Sequence, residues 1–314
     1  MHTISQGLKD LFFELGDCNY EWQPQTPDRL LNFRKDPVAF RPLIQWLGLG
    51  LPVSEDSLVQ DGLSRSVFRT LSERGFVKNS RSAMSVSGSG DLFIIHDHWP
   101  PQHGTEKGYV HYGAESAWLA RTCNRDLEGF VGKRVLDLGC GSGALMLEVA
   151  GVADEVLGLD ISEKAAEWAQ VLASAYGFTN IKAEAAAIGS NAAENIVAGK
   201  KWHKAVMNPP MVIPALDAAY PHRDGGKLGI ELPLLFLDFA GRHLTSDGEV
   251  LCLITNPILH GKSAFFDGLA KQRWEFIERY CLHPHFNQSV ARKQGYAARG
   301  IERVELWYLH LRKA

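Results

Sequence analysis

From Val110 onward, short apolar runs alternate with longer stretches in which apolar residues recur at three- and four-residue spacing. That alternation predicts strands joined by helices, the signature of a doubly wound α/β sheet. Strands are expected at 134–138, 155–160, 181–186, 204–208, 249–255, 275–282 and 304–311. Helices are expected at 144–150, 163–176, 191–198, 229–244 and 263–272, with a leading helix over 115–130 that Gly132 stops. Seven strands result. No clear helix separates the last two, so the final strand is expected to enter an otherwise parallel sheet antiparallel.

Before residue 110 the pattern differs. Residues 28–47 place Leu30, Leu31, Phe33, Phe40, Leu43, Ile44 and Leu47 near helical spacing, with Gly48 and Gly50 as stops. Ser54 caps a short helix with Asp56 in its first turn, and 63–74 forms another closed by Gly75. Residues 83–86 and 91–95 read as two strands joined through Gly88 and Gly90. Helices followed by a glycine-turned hairpin resemble a winged-helix module. The chain therefore divides into a smaller winged-helix-like α+β substrate or interaction domain at 1–109 and an α/β domain at 110–314.

Composition narrows the partners. A chain of 314 residues that is 45% hydrophobic can bury one large core and a smaller one. A net charge of -3 supplies no field that would draw it to nucleic acid. Arg65, Arg69 and Arg74 along one predicted helix keep nucleic acid open for the N-terminal module, although helix arginines are more often a solvated face. The five cysteines show no CxxC spacing, so reduced thiols are expected rather than a zinc site or a disulfide framework. His96, His98, His103 and His111 cluster, as do His283 and His285, but without a cysteine and without need of a metal for the chemistry below. Residues 1–21 lack a basic start followed by a long apolar core, and no apolar run reaches membrane-spanning length. A cytoplasmic protein with no membrane partner is expected.

The chemistry concentrates at three strand ends. Gly139, Gly141 and Gly143, with Cys140 between the first two, follow an apolar strand, so the backbone can turn sharply and approach a ligand. A dinucleotide fingerprint places its last glycine three residues after the second; here it is two. Asp137, just before the turn, would repel a pyrophosphate but suits a ligand carrying ammonium and sulfonium charge. S-adenosylmethionine is such a ligand. Asp160, with Ile161 beside it, ends the next strand where an acid can accept both ribose hydroxyls. In the class I S-adenosylmethionine-dependent methyltransferases that these strand ends resemble, an acid after the third strand often holds the adenine amine; Ala187 stands in that place, so backbone and apolar contact are expected there.

Asn208-Pro209-Pro210-Met211 then follows the fourth strand. Two prolines fix the backbone and remove two donors. The Asn208 side-chain oxygen and the Pro209 carbonyl can accept both hydrogens of a planar NH2 group and aim its nitrogen at a methyl donor. Carbonyl dipoles would favour the positive charge that develops there, so no dedicated base is required.

Residues 135–160 resemble the first two motifs of class I S-adenosylmethionine-dependent methyltransferases. The Asn-Pro-Pro-Met run is similar to the Asn-Pro-Pro-Tyr signature of amino-methylating enzymes, among them glutamine N5-methyltransferases and adenine methyltransferases. Met211 departs from the aromatic residue of that signature and offers a softer contact. Residues 110–118 resemble a segment that lines the cofactor pocket, which makes Tyr112 and Ser116 candidates. Residues 220–226 resemble an arginine-aspartate-glycine stretch that follows the Asn-Pro-Pro motif in glutamine-type relatives. The resemblance implies transfer to a planar amide or amine nitrogen, with a protein glutamine as leading acceptor. A small metabolite or peptide-like product comes next and nucleic acid third. A cofactor-binding scaffold without catalysis is the non-enzymatic alternative.

Overall fold

The computed structural model describes residues 2–25, 27–98, 108–213, 224–286 and 296–314. In chain order it contains α1 (His2–Asp17), α2 (Pro27–Phe33), α3 (Glu55–Gln60), α4 (Arg65–Glu73), β1 (Val77–Lys78), β2 (Arg81–Ser82), β3 (Ser85–Ser89) and β4 (Leu92–His96). The larger part begins with α5 (Ala114–Arg125), β5 (Arg134–Leu138), α6 (Ala144–Ala150), β6 (Glu155–Asp160), α7 (Glu163–Ala175), β7 (Ile181–Ala185), α8 (Asn191–Val197) and β8 (Trp202–Met207). It ends with α9 (Glu231–His243), β9 (Leu244–Leu259), β10 (Lys262–Ser263), α10 (Ala264–Leu269), β11 (Trp274–His283) and β12 (Ile301–Lys313).

The main sheet runs β11-β12-β9-β8-β5-β6-β7, with the short β10 paired to β9. Pairs among β5 to β9 are parallel, and β12 lies antiparallel to both β9 and β11. This is the doubly wound sheet with an inserted antiparallel final strand that the hydrophobic pattern predicts. Central β5 reads Val135-Leu136-Asp137-Leu138 and is buried throughout that stretch, as a parallel strand covered on both faces must be. The expected leading helix divides: α5 ends at Arg125 and a 3-10 turn covers Leu127–Phe130.

The N-terminal residues depart further from expectation. The helix expected at 28–47 is broken into α2, a 3-10 turn at Pro37–Ala39 and a π-helical turn at Ile44–Gly48. Pro37 and Pro42 each remove a backbone donor and push the preceding residue out of helical conformation. The helix α1 was not anticipated, although Leu8, Leu11 and Leu15 share one fully buried face. The hairpin turns at Gly90 (φ +56°), whereas Gly88 sits inside β3 opposite Phe93 and donates its amide to the Trp22 carbonyl at 2.7 Å.

A nucleic-acid-reading wing would be exposed; every residue of β3 is buried. Ser89 Oγ donates to Glu148 on α6 at 2.5 Å, and Lys164 on α7 pairs with Asp97 at 2.6 Å. Phe12 of α1 stacks on Tyr176 with ring centroids 5.4 Å apart. Leu8, Leu15 and Trp46 consequently share one hydrophobic cluster with Val135, Leu145 and Leu172. Arg65 is paired with Glu55 and Asp56, which neutralises the first of the helix arginines. No helix among the described residues is long and apolar enough to cross a membrane.

Candidate active site

In an open α/β sheet, a crevice forms where helices leaving neighbouring strands pass to opposite faces. Here that point lies beyond the carboxyl ends of β5, β6 and β8, which carry the glycine turn, Asp160 and Asn208. It holds a cavity of about 500 Å3. Gly139, Cys140, Gly141, Asp160, Ile161 and Ala187 line it together with Ser116, Asn208 and Pro210.

The glycine turn requires its glycines. Gly139, Gly141 and Gly143 have φ of +78°, +52° and +78°, a region other residues enter only with strain. Gly143 lies off the cavity wall, against α7, where an added Cβ would come within 2.8 Å of the Ala169 Cβ. Its contribution is close helix packing rather than ligand contact.

Asp160 ties the second strand end to this turn. Its Oδ2 accepts from the Gly141 amide at 2.9 Å and its Oδ1 from the Ser162 amide at 2.8 Å. Burial raises its pKa, while the amides of Ser162, Gly141 and Ile161 pull it down. A carboxylate oxygen has two lone pairs, so each retains one for a ligand hydroxyl. The adjoining wall is apolar, with Leu145, Ala165, Ile188 and Phe236. Two acceptors beside an apolar slot fit the ribose and base of a nucleoside, the part that S-adenosylmethionine would present here.

Asp137 departs from its expected place. It is fully buried beneath the turn instead of facing the cavity, and neither carboxyl oxygen has a hydrogen-bond partner among the described residues. Burial, then the nearby Asp160 charge, pushes its pKa well above the usual carboxylate range, with the Met146 amide offsetting part of this. Its ionised form is disfavoured, and it does not line the cavity where a cationic ligand would meet it. A folded-state pKa above the unfolded one means that stability from this group is full at low pH and is lost as pH rises toward the folded value. Asp137→Asn, neutral at every pH, is expected to stabilise the ligand-free protein at pH 8, because the amide never carries the charge that burial disfavours. The gain should shrink toward pH 5; thermal melts at both values check it, and an equal gain at both would contradict the assignment.

Asn208 is oriented by α5. Its Nδ2 donates to Ser116 Oγ at 2.8 Å, which leaves Oδ1 buried and without a partner among the described residues. An unsatisfied buried acceptor at a cavity wall calls for a donor from the ligand. Ser116, expected to touch cofactor, thus also sets the Asn208 amide. Tyr112 is turned away from the main cavity, its ring 5.8 Å from His96, and burial raises its phenol to about 12. Pro209 is buried behind Asn208, and Pro210 lines the cavity. Met211 does not reach the acceptor side: it is 8% exposed, belongs to the core, and its carbonyl accepts from Thr255 Oγ1 at 2.7 Å.

Several lining residues carried no local signal in the sequence. Phe236, an apolar position of α9, lies 3.2 Å from where a Gly139 Cβ would stand. Tyr109 also reaches the cavity, beside His111 of the segment at 110–118 and Asp224 of the stretch at 220–226, both of which the sequence resemblance had marked. Of the stretch at 220–226, residues 220–223 lie outside the described residues, as does His103. His96 is buried, bonds Ser87 Oγ at 2.9 Å and has its pKa lowered to about 4 by burial. Among the described residues no three His, Cys, Asp or Glu side chains group so as to hold a metal.

Residues 130–220 match a family described as a methyltransferase domain. The chain is 27% identical over 212 residues to a tRNA (guanine(10)-N2)-dimethyltransferase of Methanothermobacter thermautotrophicus, a match covering 67% of this chain and 56% of that relative. It thus spans little more than half the relative's length. Among solved structures, Trm5b from Pyrococcus abyssi aligns over 73% of this chain and 56% of its own, at 13% identity and a TM-score of 0.48. A T. thermophilus 16S rRNA N2 methyltransferase in complex with AdoMet and guanosine aligns over 74% and 50%, at 19% identity and a TM-score of 0.45.

Proposed function

We propose that this chain, built around a methyltransferase domain, is an S-adenosylmethionine-dependent N-methyltransferase whose acceptor is the exocyclic amine of a guanine in RNA. The observation that carries the amine assignment is the buried Asn208 Oδ1, which lacks a donor in a cavity shared with the Asp160-anchored glycine turn. When bound, the cofactor supplies an electrophilic methyl group on a sulfonium. Asp160 and the glycine turn hold its nucleoside. Asn208 Oδ1 accepts a hydrogen of the acceptor NH2, and Ser116 keeps the amide from rotating away. That alignment fixes the nitrogen lone pair toward the methyl, and positioning of this kind supplies much of the rate. The carbonyl dipole also favours the positive charge growing on the nitrogen, whose surplus proton leaves to water.

The sequence resemblance favours a protein glutamine. The curated relative instead acts on a guanine N2, and this moves the leading acceptor to RNA. Labelled S-adenosylmethionine incubated with fractionated cell extract tests the class directly. Label is expected in RNA, released by ribonuclease as a methylated guanosine. Label retained in protein after ribonuclease treatment would reject RNA and restore glutamine.

A further inference from the structure

Planar NH2 groups differ in what stands beside them. In guanine the amine is flanked by the N1–H donor. In adenine and cytosine a ring-nitrogen acceptor occupies that place, and in a glutamine carboxamide a carbonyl oxygen does. A site that grips the amine and presents a second acceptor alongside therefore selects a donor–donor edge. A site that presents a donor selects the others.

The loop after Met211 supplies such an acceptor. Asp224 lines the same cavity as Asn208. Its backbone pairs with Val212 in a parallel bridge, and the Gly225 amide donates to the Val212 carbonyl at 3.0 Å. Gly225 lies directly on the Asn-Pro-Pro-Met loop: a Cβ there would come 2.7 Å from the Met211 Cα and 2.8 Å from the Pro210 carbonyl oxygen. A further contact holds the other side, since a Cβ on Gly229 would stand 2.7 Å from the Met211 carbonyl oxygen. These are backbone contacts, which cannot yield as a flexible side chain would. Asp224 is consequently held in place relative to Asn208 by main chain on main chain.

Its own carboxyl is anchored at one end. Oδ1 accepts from the Gly226 amide at 2.9 Å, while Oδ2 makes no hydrogen bond among the described residues. A carboxylate with one oxygen anchored and the other open toward a ligand cavity is an oriented acceptor.

The geometry points to Asp224 as the residue that selects the acceptor, taking the N–H next to the methylated amine while Asn208 takes a hydrogen of the amine itself. This inference rests on the amine-methylation reading and narrows it to the donor–donor edge of guanine. A carboxamide, adenine or cytosine would set a lone pair against the Asp224 carboxylate and leave both unsatisfied. Asp224 acts by recognition and positioning; it takes no part in bond making.

The test compares two acceptors with the same amine. Guanine and 2-aminopurine both carry the 2-amino group, but 2-aminopurine has a bare acceptor at N1. Random-sequence oligoribonucleotide pools whose purines are all guanine, all 2-aminopurine or all adenine are methylated by the full chain, and the nucleosides released by digestion are measured by mass spectrometry. The wild type is expected to prefer guanine over 2-aminopurine in kcat/KM by roughly 10- to 100-fold, the worth of a charge-assisted hydrogen bond. Asp224→Asn, which can turn an NH2 toward the acceptor, should reduce that preference to within about threefold while still binding S-adenosylmethionine by calorimetry. Equal wild-type rates on guanine and 2-aminopurine would overturn the Asp224 assignment and leave amine methylation standing, as would an undiminished preference in a variant that binds cofactor. The wild-type comparison holds whether or not the variant folds. No transfer to any pool by wild-type protein with cofactor bound would overturn the nucleobase reading, and Asp224 recognition with it.

Discussion

Asn208→Ala is expected to lower the rate of methyl transfer by roughly 10²–10³-fold, the usual cost of removing one preorganised group aimed at developing charge. Cofactor affinity should change by about twofold or less, because the nucleoside is held by Asp160 and the glycine turn. The asymmetry follows from the position of the side chain. Its nitrogen is used internally on Ser116, and its oxygen is buried with nothing to accept from until an acceptor amine arrives. Alanine removes that oxygen and leaves the amine free to rotate about its bond to the ring. Single-turnover transfer from labelled cofactor, with calorimetric titration of the same preparation, separates the two effects. Unchanged turnover would remove the amine clamp from the mechanism.

Asp160→Ala is expected to do the reverse, weakening S-adenosylmethionine binding by roughly 10²–10³-fold. Two charge-assisted hydrogen bonds to the ligand at about 1.5–3 kcal/mol each span that range and extend beyond it, and water entering the vacated place offsets part of the loss. The substitution also strips the Gly141 and Ser162 amides of their acceptor, so the glycine turn loses its tie to β6. Asp160→Asn keeps the shape and should fall between wild type and alanine. The pH dependence has a definite sign. Burial raises the carboxyl pKa in the free protein, and ligand hydroxyls donating to the charged form lower it on binding. Binding therefore releases a proton, and affinity should fall as pH drops through the raised value. Titrations across the acidic range check this; binding to Asp160→Ala as tight as to wild type would exclude the ribose role.

The elements that build the cofactor side were legible before any fold was known. Gly139, Gly141 and Asp160 lie within one strand-turn-helix-strand unit, where sequence spacing and spatial spacing are nearly the same quantity. Backbone conformation that only glycine tolerates leaves a mark in composition, and so does a strand that must be apolar because both its faces are covered. The same reasoning placed Asn208 at a strand end, since two prolines stop any regular continuation. The antiparallel entry of the final strand was legible too, because no helical pattern separates the last two strands.

The N-terminal residues were less readable because their hydrophobic positions do not serve their own segment. β3 is buried, packing on α5 and the π-turn at Ile44–Gly48 and bonding Glu148 of α6 through Ser89, so its Ser85, Ser87 and Ser89 break the polar-outside pattern that would have marked them. Asp137 and Met211 illustrate the same limit within the site. Each occupies a motif position that suggests ligand contact, and each is carried into the core: Asp137 inside a strand covered on both faces, Met211 by a loop whose carbonyl is bonded to Thr255.

By itself, then, the sequence determined the sheet, the cofactor turn and the presence of an amide at the fourth strand end, all of them consequences of local backbone chemistry. Only the tertiary structure decided which way that amide faces, through Ser116 from a helix 92 residues earlier, and which carboxylate stands beside it, through the clasp of Gly225 on Met211. Those are contacts between segments distant in the chain, and nothing in the linear order of residues encodes a distance between them.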